Sequence, residues 1–388
     1  MSWTAVLRTE EAREHREELV FTNGNFVTPS GVVAGHMAVK DGVIADVAPG
    51  FVHGGIDLKG DLAIPGLVEL HTDNLEKHIM PRPGIYWSDP ASAVEAHDAQ
   101  LVSSGITTVF DSVCVGEPVD KGRRRMLAMS LNAINKVKDD LRATHLIHLR
   151  CEISDPNMAM CLEEALSLCR PDIISVMDHT PGQRQWRTPK DWLVYHQAKL
   201  SDEELRELSK TLKEARDTNA DKNIAMIAEH ARVNNVTLAT HDDTDETHVE
   251  EALRLGARIS EFPTTMTAAK LAREKGLFTV LGTPNLVRGA SHSGNVKAAE
   301  VARAGYLSCL SSDYVPASLV HGAFKLHREE GFSLSDAVAT VTRNPAEAAG
   351  LKDRGALVRG LRADFARVRV TDGRPRIMEV WVKGERAY

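Results

Sequence analysis

Between residues 60 and 350, short apolar runs alternate with amphipathic segments of helical period, and this alternation narrows the available folds more than any other feature of the chain. Eight runs stand out: LAIPGLVEL (62–70), ITTVFDSV (106–113), HLIHLRCE (145–152), IISVMD (173–178), VTLAT (236–240), ARISEF (257–262), FTVLG (278–282) and YLSCLSSD (306–313). Helical stretches lie between them, including 93–104, 123–142, 157–169, 202–218, 245–255 and 295–304. Eight strand-then-helix units predict an α/β fold, a (β/α)8 TIM-type barrel spanning 62–355.

The two ends have a different texture. Residues 19–58 read as short alternating strands broken by turn signals at 29–31 and at Asp41-Gly42. The C-terminal segment ADFARVRVTDGRPRIMEVWVKGE repeats that pattern around Thr371-Asp372-Gly373. A small β-sandwich domain assembled from 1–61 and 356–388 is therefore expected. With 388 residues, 43% of them hydrophobic, the chain can bury a core of that combined size.

Composition removes several functions. A net charge of −7 provides no basic field for nonspecific nucleic-acid binding, so no nucleic-acid partner is expected. The first twenty residues are charged without an apolar core, and no run approaches the roughly 18 apolar residues of a membrane span. A soluble, cytoplasmic protein follows as the expectation; homo-oligomerisation is left open. Cys114, Cys151, Cys161, Cys169 and Cys309 show no CxxC spacing and read as reduced core residues.

His71, Asp73, Glu152, His179, His241 and Asp313 each fall at or just past the C-terminal end of one of the eight runs. In a barrel those ends converge on one face, where active sites are built. Imidazole and carboxylate donors without thiolates suit one or two divalent ions such as zinc, manganese or iron. His71 and Asp73, two apart on an extended segment, point to the same side. Glu152 ends an otherwise apolar strand, where a carboxylate needs a partner; a bridging role between ions competes with an ion pair to Arg150. His179 precedes the turn Thr180-Pro181-Gly182, and a hydrogen-bonded core histidine is its alternative. Asp242 and Asp243 follow His241 and can orient its second nitrogen. Asp313 reads as ligand and proton acceptor, or as a helix N-cap. The other histidines, His97, His145 and His148 among them, read as structural or exposed.

AIPGLVELHTD, the distant SSDY and TRNPAEAAGLKDRGALVRGLRADF together resemble the amidohydrolase superfamily over nearly the whole chain. HTDNLEKHIMPRPG, HTPGQRQW (179–186), THDD (240–243) and GTPNLVRGASHSG (282–294) are similar to its phosphonate-metabolism branch, the triphosphate diphosphatases of the carbon–phosphorus lyase pathway. The general pattern has a second histidine where this chain has Asp73; the branch carries the aspartate. The superfamily's two later histidines follow strands five and six, whereas His179 and His241 follow the fourth and fifth runs here.

The resemblance implies metal-dependent release of pyrophosphate from a ribose 5-triphosphate bearing a 1-methylphosphonate, with Glu152 as bridge and Asp313 as proton acceptor. Such a small-molecule ribosyl triphosphate needs cations, and Lys77, His78, Arg82, Arg184, Arg288 and His292 are the expected phosphate-facing residues, with Arg187, Lys190, Ser291, Ser293 and Asn295 nearby. Two other readings compete: a hydrolase of amides, lactams or deaminatable rings on the same scaffold, and a noncatalytic ligand-binding barrel.

Overall fold

The computed structural model describes residues 18–118, 121–186, 192, 201–291 and 294–388. Eight parallel strands follow one another in chain order around the central sheet: β6 (Leu67–Thr72), β7 (Ile106–Val115), β8 (Thr144–Glu152), β9 (Ile173–Met177), β10 (Thr237–His241), β11 (Ile259–Glu261), β12 (Phe278–Gly282) and β13 (Cys309–Ser311). A parallel bridge between Thr72 and Asp313 joins the last strand to the first. Each of the eight apolar runs thus contributes a strand to the barrel, with His179 after its fourth strand and His241 at the end of its fifth.

β8 shows how the sequence positions the site. Successive residues of a strand point to opposite faces, so Ile147, Leu149 and Cys151 enter the apolar cluster shared with the helices. His148, Arg150 and Glu152 turn the other way, toward the barrel axis, where they meet Ser175, Asp73 and His179. His148, which the sequence leaves as structural or exposed, is structural: it is fully buried inside the barrel. Its position two residues before Arg150 carries that information.

The helices pack outside. α1 (Asn74–Ile79) and α2 (Pro90–Ser103) follow β6, α3 (Lys121–Val137) follows β7, and α4 (Met158–Leu168) follows β8. The long α5 (Asp202–Asn234) starts at a capping box in which Ser201 accepts from the Glu204 backbone and the Glu204 side chain accepts in return. It runs well beyond the 202–218 stretch expected: its second half buries Ala220, Ile227 and Ala231 in the core, and Asn223 donates to the carbonyls of Ile153 and Asp155 at 2.9 and 3.2 Å. Among the described residues, no helix is long and apolar enough to cross a membrane.

Both chain ends build one further sheet from β1 (Leu19–Thr28), β2 (Gly31–Lys40), β3 (Val43–Pro49), β4 (Ile56–Asp57), β5 (Leu62–Pro65), β14 (Phe365–Thr371), β15 (Arg374–Val382) and β16 (Glu385–Arg386). It packs over Phe21, Phe26, Met37, Leu58, Phe365 and Trp381, as expected of the small β-sandwich. Asp41 and Gly42, both at positive φ, make the tight β2–β3 turn that the Asp-Gly pair signals. The run 62–70 is divided. Leu62–Pro65 pairs with β1 and β14, and only Leu67–Thr72 enters the barrel. Asp61 fastens the two ends together by accepting from Arg367 at 2.7 Å and from Arg369 at 3.0 Å.

Candidate active site

The C-terminal ends of the barrel strands surround a cavity of about 430 Å³ whose walls include His71, Asp73, Arg150, His179, His241, Asp242, Arg288, Ser291, Asn295 and Asp313. Its floor is organised by a residue absent from the sequence-based set. Glu261, the last residue of β11, is buried and accepts from His71 Nδ1 at 3.2 Å and from His241 Nδ1 at 3.3 Å. The two rings lie 5.4 Å apart and nearly parallel. One carboxylate thus selects the same tautomer in both imidazoles and turns both Nε2 atoms away from itself. The signal for Glu261 was present in ARISEF, since a carboxylate closing an apolar strand is what singled out Glu152.

His179 and Glu152 form a second unit. Glu152 Oε2 accepts from His179 Nδ1 at 2.7 Å, and Oε1 accepts from Ser154 Oγ at 2.7 Å. Asp242 Oδ2 lies 3.5 Å from His241 Nε2 and 4.0 Å from His179 Nε2. Two donor groups, His71/His241/Glu261 and His179/His241/Asp242, are each compact enough to hold a metal ion, with ligand atoms within 4.8 Å of one another. All of these donors are imidazole nitrogens or carboxylate oxygens, which suits a zinc, manganese or ferrous ion.

Arg150 completes the floor. It is buried, and its Nη1 donates to Asp73 Oδ1 in a very short contact. The arginine considered as a partner for Glu152 therefore belongs to Asp73.

Electrostatics separate these groups. Burial drives His241 down to about 3 against the pull of Glu261, keeping it a neutral donor ring. Burial would raise Glu261, but the imidazoles of His148, His71 and His241 outweigh it and hold the carboxyl well below its usual range. His179 moves the other way: burial would lower it, and the Glu152 carboxylate, helped by Asp242, raises it. Asp242 is pushed up to about 7 by burial despite the opposing charges of His179 and Arg184.

A protein 39% identical over 380 residues, aligned across 95% of this chain and 100% of its own, is the alpha-D-ribose 1-methylphosphonate 5-triphosphate diphosphatase of Escherichia coli (strain K12). The chain belongs to the amidohydrolase family. The family's model, described as Amidohydrolase family, matches residues 200–388. The fold is shared with 5-methylcytosine deaminase from Klebsiella pneumoniae (TM-score 0.65, 17% identity, 95% of this chain and 98% of that one). It is shared as well with N-acetylglucosamine-6-phosphate deacetylase from Pasteurella multocida (TM-score 0.64, 11% identity, 95% and 99%). The protein is accordingly a hydrolase with candidate metal-binding groups at the barrel mouth.

Of the expected ligands, His71, Asp73, His179, His241 and Asp313 face this amidohydrolase cavity, and Glu152 stands behind His179. Asp313 adopts a positive φ of 55°, and its carbonyl accepts from Thr72 Oγ1 at 2.8 Å, which fixes it across from the first motif. Of the expected phosphate-facing cations, Arg288 lines the cavity. Arg184 is placed differently. It is buried beneath the site, donating to Asp243 at 2.6 Å, Glu251 at 2.9 Å and the His241 carbonyl at 3.0 Å. Asp243 is thereby committed to Arg184, leaving Asp242 as the carboxylate beside His241. Lys77 is exposed and donates to the Tyr314 carbonyl at 2.5 Å. His78 is bonded to Gln100 at 2.9 Å, and Arg82 is exposed; neither lines the cavity. His292, with Arg187, Lys190 and Ser293, lies outside the described residues.

Proposed function

We propose that this amidohydrolase hydrolyses alpha-D-ribose 1-methylphosphonate 5-triphosphate to the 5-phosphate and pyrophosphate, in the carbon–phosphorus lyase pathway. The observation that carries the reading is the 39% identity to the Escherichia coli diphosphatase across its entire length. The cavity is compatible with it in size and in chemistry, with donor rings on the floor and Arg288, Ser291 and Asn295 on the wall. Divalent zinc, manganese or iron bound by the floor residues would acidify a water and neutralise phosphoryl oxygens.

The chain's own groups divide the remaining work. Asp313, at the end of the last strand, accepts the proton of the attacking water on its carboxylate. Arg150 faces the phosphoryl oxygens from the floor, and Arg288 with the Ser291 and Asn295 side chains receives the departing pyrophosphate, whose charge must be met for it to leave. Five free cysteines and the soluble substrate accord with a cytoplasmic enzyme acting on a small molecule.

Purified metal-loaded protein incubated with the ribosyl triphosphate is expected to release one pyrophosphate per 5-phosphate formed. Turnover of amide or amino-heterocycle substrates with none of the triphosphate would replace this reading by the deaminase-type alternative.

A further inference from the structure

Besides His179, the motif at 179–186 brings one further residue to the cavity, Gln185. The segment turns twice on itself. The Gln183 N–H donates to the Thr180 carbonyl at 3.0 Å, and the N–H groups of Trp186 and Gly182 donate to the carbonyls of Gln183 and Trp186 at 2.8 Å each. Two buried side chains anchor it: Arg184 ends on Asp243 and Glu251 below the site, and Trp186 packs against Trp192 and against Leu205 and Leu212 of the first half of α5. Gln185 stands between these anchors in a single 3₁₀ turn (Arg184–Trp186), so its backbone is held from both sides. Among the described residues, its carboxamide makes no hydrogen bond of its own.

The barrel determines what Gln185 faces. β9 and β13 stand four places apart in a closed ring of eight strands, so the loop after β9 lies across the mouth from Asp313 and Tyr314. The adjoining loop after β12 carries Arg288, Ser291 and Asn295. Arg288 gives that wall a positive charge, whereas Gln185 offers a neutral carboxamide with one accepting oxygen and two N–H donors. Phe262 and Pro263, after β11, form an apolar stretch between the two walls. A phosphate chain calls for the cation. A sugar hydroxyl, which both donates and accepts, calls for the amide, and the C–H face of a furanose for the apolar stretch.

We infer that Gln185 is a specificity-determining residue of this site, its carboxamide bonding the vicinal hydroxyls of the ribose while the loop after β12 takes the triphosphate tail. A primary amide suits a diol, because one hydroxyl donates to its oxygen while its N–H donates to the other hydroxyl. The direction of the substrate across the cavity follows, with the sugar toward β9, the terminal phosphates toward β12 and the anhydride that breaks over the floor between them. This assignment rests on the triphosphate reading and extends it to the sugar.

Calorimetric titration of the metal-loaded protein with ribose 5-phosphate and, separately, with pyrophosphate tests the two ends. Gln185→Met keeps the length of the side chain and removes the amide. It is expected to weaken ribose 5-phosphate about 10-fold, the loss of one or two neutral hydrogen bonds, and to leave pyrophosphate within about twofold. Arg288→Met should do the reverse. In turnover of the ribosyl triphosphate, Gln185→Met should raise KM about 10-fold and leave kcat nearly unchanged, because the contact is present before and during the reaction. Equal weakening of both ligands, weakening of pyrophosphate alone, ribose 5-phosphate unaffected by Gln185→Met, or no binding of ribose 5-phosphate to the unmodified protein would overturn the inference. Should Gln185→Met not fold, Gln185→Ala is read by the same criteria. Absence of pyrophosphate release from the unmodified protein, with the selective loss of ribose 5-phosphate still seen, would refute the diphosphatase reading alone. Full turnover with Gln185→Met unaltered in both assays would refute the inference alone.

Discussion

Glu261 connects more of the site than any single expected ligand, because two imidazoles share its carboxylate. A carboxamide of the same shape has one accepting oxygen, and its N–H₂ would face an N–H. Glu261→Gln must therefore free one imidazole or reverse its tautomer. The expected outcome is a loss of metal affinity of about 10–100-fold, measured by competition with a chelator, with the folded state kept as judged by circular dichroism. Unchanged affinity would mean that the rings are held by packing against Phe262, whose ring centre lies 4.9 and 5.3 Å from theirs. At this scale the sequence was informative wherever a donor ended an apolar run. It misled where a side chain's direction depends on a loop: Arg184 sits in a branch-like motif, yet a positive φ of 42° directs it under the site toward Asp243 and Glu251. Nothing in the order of residues around 179–186 encodes that turn.

The barrel strands were legible because a parallel strand covered on both sides is largely apolar, as β9 (IISVM) is, with every residue buried. Between β7, β8 and α2 the same layer conceals a polar network that composition could not announce. Asp111 on β7 accepts from His145 Nδ1 at 2.7 Å and from His97 Nε2 at 3.0 Å, while Asp98 on α2 lies 3.4 Å from His145 Nε2 and accepts from Arg142. Burial opposes the charge on His145, but Asp111 and Asp98 outweigh it and raise the imidazole to about 9, while Asp111 is held well below the usual carboxylate range. An unfolded histidine titrates near 6.5, so the stabilisation from His145 is complete below that pH and is lost as pH rises through about 9. It amounts to about 3 kcal/mol at most, from 1.36 kcal/mol per pKa unit. Urea midpoints of the unmodified protein and of His145→Gln should differ most near pH 6 and converge near pH 10. A difference that persists at the upper end would make His145 a packing residue.

At the scale of the whole molecule, the two-part architecture could be read from the contrast between the ends and the middle; the closure of the barrel could not, since it joins residues more than 240 positions apart. The sheet runs from β6 to β13, and the backbone contacts across that seam are the Thr72–Asp313 bridge and the Asp73 N–H on the Asp313 carbonyl at 3.2 Å. Glu69, fully buried, supplies a further fastening. It accepts from Ser311 Oγ at 2.6 Å, from the Ser312 N–H at 2.6 Å and from the His71 N–H at 2.8 Å. Burial pushes this carboxyl above its usual value against those three donors, so ionising it in place costs some stability. The seam runs between His71 and Asp73 on one side and Asp313 on the other, so its tightness sets how the first motif faces Asp313. Glu69→Ala strands two buried backbone donors, the Ser312 and His71 N–H groups, and is expected to cost about 2–4 kcal/mol, read from the urea midpoint. Pyrophosphate release at 25 °C, where the variant is still folded, should fall further than the loss of folded protein accounts for, because a shift of about 1 Å between Asp313 and the opposite wall disturbs the attacking geometry. A destabilised variant with unaltered turnover per folded molecule would show that the seam holds the fold together without tuning the site.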